Sequence, residues 1–341
     1  MFKRVLPALT LCFLSAYASA QEAPAAPQTA PAVPTLEDGE PVPQTVLVSG
    51  SRPGPGLWKV SKGEHVLWVF GTYSPLPAQM EWRSSKVEKI IATSQEYLKP
   101  PGVSIGGGWS AVTALPFLIG IKKNPDGAEL KDVLPPEVYA RWQPLREKYF
   151  SNDSGVERER PTFAAGELYS RALRQAGLSK GNEVQIKIGK LAEKHKLKFT
   201  DVTYHVAIKD PGKAAREFKK SPMDDAPCLM KTIESLDTDV DVMRAHANAW
   251  AVGDLDEIRK LNFDDRANAC IHALSTGSLG KNQPELKTAR ETALARWVEA
   301  AEKALATNAS TFAVVPIKEI LNPKGVIATL QSKGYTVEPP K

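Results

Sequence analysis

Two short runs rich in β-forming side chains, Leu57 to Val60 and His65 to Phe70, flank the polar tetrapeptide Ser61-Lys62-Gly63-Glu64, the pattern of a hairpin. The second run stops at Gly71, and a loop carrying Pro75 and Pro77 follows. From about residue 83 to 98, Val87, Ile90, Ile91 and Leu98 fall on one helical face, which Pro100-Pro101-Gly102 ends. Residues 136–150, 162–176 and 182–196 also show helical apolar spacing, with Pro161 and Gly177 as punctuation. Between Leu197 and Ile208 the spacing changes to alternation, with Val202, Tyr204, Val206 and Ile208 on one side, predicting a strand that Pro211 closes. Helices resume over 212–274, broken near Pro222, Pro227 and Gly253. Residues 284–306 read as a long amphipathic helix with Leu294, Trp297, Val298, Ala301 and Leu305 on one face. The strand Thr311 to Val315 follows, then a short helix between Gly325 and Lys333, then a last strand at Tyr335-Thr336-Val337.

Strands at both ends, one in the middle and helices between them predict an α/β fold. Its central mixed sheet is formed by the N- and C-terminal strands lying side by side, surrounded by a large helical middle section.

The first residues have a different pattern. Lys3 and Arg4 precede an apolar stretch from Val5 to Leu14 and a small-residue end at Ala18-Ser19-Ala20, the plan of a secretory signal peptide cleaved before Gln21. About ten apolar residues are too few to cross a bilayer that needs about 20. A lipoprotein reading at Cys12 fails because the bulky Leu11 precedes it. Three parts are expected: a signal peptide over 1–20, a Pro/Ala-rich spacer over 21–55 and one domain over 56–341. No later stretch is long and apolar enough to span a membrane, so the mature chain is expected to carry no transmembrane segment.

The formal charge is +5, and loss of Lys3 and Arg4 leaves +3. Basic and acidic residues interleave, as in Lys86-Val87-Glu88-Lys89, so no concentrated basic face points to nucleic acid. Cys228 and Cys270 remain after cleavage, and an oxidising compartment favours pairing them over leaving two buried thiols.

The ends of the domain carry a resemblance. Gly56-Leu57-Trp58-Lys59-Val60, then Val66 to Gly71-Thr72-Tyr73-Ser74-Pro75, resembles the opening of the TraB/GumN family, relatives of the Tiki proteins. Thr311 to Val315-Pro316-Ile317-Lys318-Glu319-Ile320, ending in Gly325 and Lys333-Gly334-Tyr335-Thr336-Val337, resembles its close, and Ala249-Trp250-Ala251-Val252-Gly253-Asp254-Leu255 its Trp-to-Gly-Asp element. The resemblance implies an α/β domain in which two Gly-x-x-His motifs converge on a divalent metal, an arrangement associated in Tiki proteins with peptide cleavage. Imidazoles and a carboxylate suit that task because they hold the ion while leaving positions open to activate water.

Here both histidines are absent. Ser74 stands at the histidine position of the first motif, and Pro316-Ile317-Lys318-Glu319 replaces the second. The resemblance places the family's acidic residue after the first helix at Glu96, near the end of the helix expected over 83–98. His65, His195, His205, His246 and His272 are scattered without ligand spacing, and His205 falls opposite the apolar face of its strand. There is no Gly-x-Ser-x-Gly elbow, and Gly106-Gly107-Gly108 lacks the Lys-Ser/Thr of a phosphate loop, so it reads as a turn before Trp109. The seven tryptophans, Trp82 among them, are spread along the chain as core packing would spread them.

Two readings follow. In the first, the chain is an exported, non-catalytic binding or scaffolding domain of a Gram-negative cell envelope. It is periplasmic or else secreted, has no cofactor, and takes an envelope protein or peptide as its partner. In the second, it is a metal-dependent, peptidase-like hydrolase in which Glu96, Glu319 and Ser74 hold a hard divalent ion such as manganese or magnesium. The separation of Glu96 from Glu319, and whether Lys318 fills the space between them, distinguishes the two.

Overall fold

A computed structural model of the chain describes residues 55–77, 85–106, 116–151, 153–180, 182–237, 240–260 and 265–340, all within one unit spanning Gly50–Lys341. The expected signal peptide, the spacer up to residue 54, and Trp82, Gly107, Gly108 and Trp109 lie outside the described residues.

Strands Leu57–Lys62 (β1) and His65–Thr72 (β2) pair antiparallel about the two-residue turn Gly63-Glu64, confirming the hairpin. Leu76–Pro77 (β3) follows. The next helix is Ser85–Thr93 (α1), shorter than the 83–98 stretch predicted, and Glu96–Leu98 (β4) is a strand. A three-residue strand buried at every position carries no alternation, so periodicity reads it as the tail of a helix. Val103–Ile105 (β5) is next. The middle contains Pro136–Phe150 (α2), Pro161–Gln175 (α3), the short strand Leu178–Ser179 (β6) and Glu183–Lys194 (α4).

The single strand expected over 197–208 is two, Lys198–Thr200 (β7) and Tyr204–Val206 (β8), in different sheets. Between them the Asp201 carboxylate accepts the Thr203 backbone N–H at 2.9 Å, a side-chain turn that redirects the chain. The helices Pro211–Lys220 (α5), Ala226–Asp237 (α6), Val240–Val252 (α7) and Asp265–Thr276 (α8) follow. Pro227 does not break α6; it sits in the first turn, where a missing N–H costs nothing. Ala289–Thr307 (α9), Ser310–Pro316 (β9), Ile317–Leu321 (α10), Val326–Ser332 (α11) and Thr336–Glu338 (β10) complete the chain.

The main sheet has the order β10-β1-β2-β9-β4-β7, with β2, β9, β4 and β7 parallel and β1 and β10 antiparallel additions. It is the mixed sheet of N- and C-terminal strands that the sequence predicts. β9 is central and reads Phe312-Ala313-Val314-Val315, all fully buried, because a parallel strand covered on both faces tolerates no polar alternation. Val87 and Ile91 of α1, Ile188 of α4, and Trp297, Ala301 and Leu305 of α9 join the sheet in one apolar cluster. A second cluster lies among the helices, where Trp142, Leu168, Leu229 and Ile233 pack beside the Cys228–Cys270 disulfide that joins α6 to α8. No helix among the described residues is long and apolar enough to cross a membrane.

Candidate functional site

The parallel pairing of β2 with β9 runs in register from Val66 opposite Ser310 to Thr72 opposite Pro316. Both motif segments therefore leave the sheet together, at its C-terminal edge, where ligands of parallel sheets bind. Buried contacts fix that edge. The Trp250 indole donates to the Gly71 carbonyl at 2.7 Å, and its ring meets Phe70 edge-on. A Cβ on Gly71 would lie 3.2 Å from Ile317, Ile320 and Trp58, so the absence of a side chain there lets α10 pack directly on β2.

Beyond the edge lies a cleft of about 390 Å³. Its sheet wall is Thr72, Tyr73 and Ser74 on one side and Pro316, Ile317 and Lys318 on the other. Helices supply the rest: Tyr169 from α3, Lys180 and Asn182 from the approach to α4, Gln185 inside it, and Arg266 and Ala267 from α8. The Arg266 guanidinium stacks on the Tyr169 ring, 3.9 Å from its centroid. Burial, then the neighbouring Tyr169, pushes the Tyr73 phenol far above its ordinary pKa, and burial also raises that of Tyr169 against the opposing charge of Arg266. Both phenols are therefore neutral O–H groups at physiological pH. The Ser74 hydroxyl donates to the Lys180 carbonyl at 2.5 Å, which ties the first motif loop to the start of α4.

The segments that build this edge match a known pattern. The sequence signature of the TraB/PrgY/gumN family covers residues 56–339. The chain belongs to that family. No curated protein and no solved structure matches it.

In this TraB/PrgY/gumN protein the three side chains singled out from the sequence are not brought together. Ser74 lines the cleft. Glu319 follows the lining residue Lys318 in the chain but is not itself among the lining residues; it is buried and accepts the Arg290 guanidinium of α9 at 2.6 Å. Glu96 is at the other end of the sheet. It stands opposite Thr311, five residues before Pro316, roughly 16 Å of strand away at about 3.3 Å per residue. There it is buried and accepts from Thr200, Asn308 and Lys198. Burial would raise its pKa, but those donors and the Lys198 charge outweigh burial and hold it below the ordinary glutamate value.

A divalent ion of the kind the family resemblance implies does not fit these residues. Among the described residues no group of three or more His, Cys, Asp or Glu side chains is placed to hold a metal. The buried carboxylate beside the cleft already faces a guanidinium, and the charged residue that lines the cleft from the second motif is Lys318. None of the five histidines lines the cleft: His65 contacts the Asn308 carbonyl, His195, His205 and His272 are exposed, and burial in α7 lowers the pKa of His246. Lys318 was visible in the altered second motif. Lys180, Arg266 and Tyr169 were not: Lys180 sits in the short link before α4, Tyr169 and Arg266 in amphipathic helices, and nothing local marks any of them as more than a solvated or half-buried position.

Proposed function

We propose that this chain is exported to the cell envelope and acts there as a binding domain that has given up its family's metal chemistry. The observation carrying this reading is that both side chains at the histidine positions of the two motifs are already engaged. Ser74 donates to the Lys180 carbonyl, and Glu319 accepts from Arg290 through one of its two oxygens, while Lys318 lines the cleft. A cation in that space opposes a divalent ion electrostatically, and a hydroxyl is a poor substitute for imidazole. The N-terminal Lys3-Arg4, apolar and Ala18-Ser19-Ala20 plan supports export, with the periplasm as the destination and secretion as the other outcome. The partner is an envelope protein or peptide, or a smaller ligand of the envelope.

Elemental analysis of the purified protein, with thermal melting in manganese, zinc, cobalt and EDTA, tests the reading. The expected result is no stoichiometric metal and no shift in melting temperature. A stoichiometric metal, together with a manganese-dependent rise in melting temperature that Glu319→Ala or Ser74→Ala abolishes, would overturn it in favour of a hydrolase. Mass spectrometry of the protein recovered from the envelope of an expressing cell checks export, with a new N-terminus at Gln21 expected.

A further inference from the structure

Among the described residues the cleft wall carries three cations, Lys180, Arg266 and Lys318, and no carboxylate. Among the described residues none of the three forms an ion pair, whereas many other lysines and arginines of the chain do. Like charges facing one small cavity repel one another and attract an anion, and low-dielectric walls concentrate that field.

Helix α4 adds to it. The helix is 12 residues long and its N-terminal residues Asn182 and Gln185 line the cleft. Asn182 makes no side-chain cap, so the first-turn N–H groups are not satisfied by it. Glu183, the acid of that first turn, is held by the Ser179 hydroxyl at 2.9 Å and is not part of the wall. The Arg266 guanidinium sits over the Tyr169 ring, and its planar fork of N–H donors is the group that suits an oxyanion. Tyr73 and Tyr169, both neutral phenols, also line it and add no negative charge.

We propose that this cleft binds a compact oxyanion carrying two or more negative charges, a phosphoryl or polycarboxylate group of a small molecule, through Lys180, Arg266 and Lys318. The proposal rests on the non-catalytic reading above, since it fills with an anion the space a metal would need. A volume of about 390 Å³ suits a small ligand and excludes a folded polymer.

Isothermal titration of the purified protein with inorganic pyrophosphate and, separately, with citrate tests it at constant ionic strength, with chloride as the control. One-to-one saturable binding of at least one probe, weaker at higher salt and unchanged by EDTA, is expected; the stronger probe identifies the phosphoryl or the carboxylate source. Lys318→Gln and Arg266→Gln should each weaken binding at least about tenfold. Both side chains are at least partly exposed, and melting curves matching the parent establish that the variants fold. No saturable binding of either probe, or binding that both substitutions leave intact, overturns the proposal. Absence of metal combined with absence of binding sinks this inference alone. Anion binding that requires added manganese sinks the non-catalytic reading along with it.

Discussion

Gly325 is held in place by one close approach: a Cβ there would lie 2.0 Å from the Glu319 carbonyl oxygen. That oxygen belongs to α10, the short helix that also carries Lys318, and backbone cannot swing aside as a flexible side chain can. Gly325→Ala should therefore displace α10 and cost about 1–3 kcal/mol, read from the urea midpoint. The buried tryptophans show the same economy at single positions. Trp142, Trp250 and Trp297 are each fully buried, and each indole N–H finds an acceptor, in Glu157, the Gly71 carbonyl and the Lys99 carbonyl respectively. Their spread along the sequence announced core packing, but not that Trp250 would support the motif loop, because a bond across 179 residues leaves no local trace.

At the scale of elements, two buried charges tie segments together. Arg160, 1% exposed, donates to the carbonyls of Phe218, Lys219 and Ser221 at the C-terminus of α5 and stacks on the Phe218 ring. A cation at that end satisfies orphan carbonyls and complements the helix dipole. Arg160→Met should destabilise the protein by about 2–4 kcal/mol in chemical denaturation, and Arg160→Lys should recover only part of this because the ammonium lacks the fork. Glu96 does the corresponding work for β4, β7 and the entry to β9. Its folded pKa is depressed, so its contribution is complete above the unfolded glutamate value and is lost as pH falls through the folded one. Lys198 is well exposed and adds little, so the bonds from Thr200 and Asn308 carry most of the effect. Glu96→Gln should be less stable than the parent at neutral pH by about 1–2 kcal/mol, with the difference vanishing in acid as melting curves are taken to low pH.

The hairpin, the long helix α9 and the central strand β9 were legible in the sequence because each is long enough to show its own period. β4 was not, since Glu96-Tyr97-Leu98 is too short and too buried to declare a strand. Its misreading put Glu96 near the end of a helix instead of in a strand, at the end of the sheet away from the cleft. The cleft was half legible: Ser74 and Lys318 were visible as departures from the family pattern, while Lys180 and Arg266 become partners only once helices distant in sequence fold against the sheet.

Across the whole molecule, the Cys228–Cys270 disulfide matches the expectation drawn from cysteine parity and compartment, and closes a loop of 42 residues between α6 and α8. Restricting the unfolded chain over that length is worth roughly 4 kcal/mol in the loop-entropy account. A Cys228→Ser, Cys270→Ser double variant should melt several degrees lower, and reductant should lower the parent toward it while leaving the variant unchanged. Because α8 also carries Arg266, the same bridge holds one side of the cleft to the helical cluster.

The parallel pairing of β2 with β9 also sets an order in time. His65 and Asn308, which meet at the start of that pair, are 243 residues apart. While the chain is being synthesised, β2 exists long before its neighbour, and the hairpin presents a bare apolar edge of the kind that invites aggregation unless something shields it. The cleft has one wall after each of these strands, so it is among the last features to come into being, and a nascent chain that has not yet reached β9 lacks both Lys318 and the wall that closes the cleft.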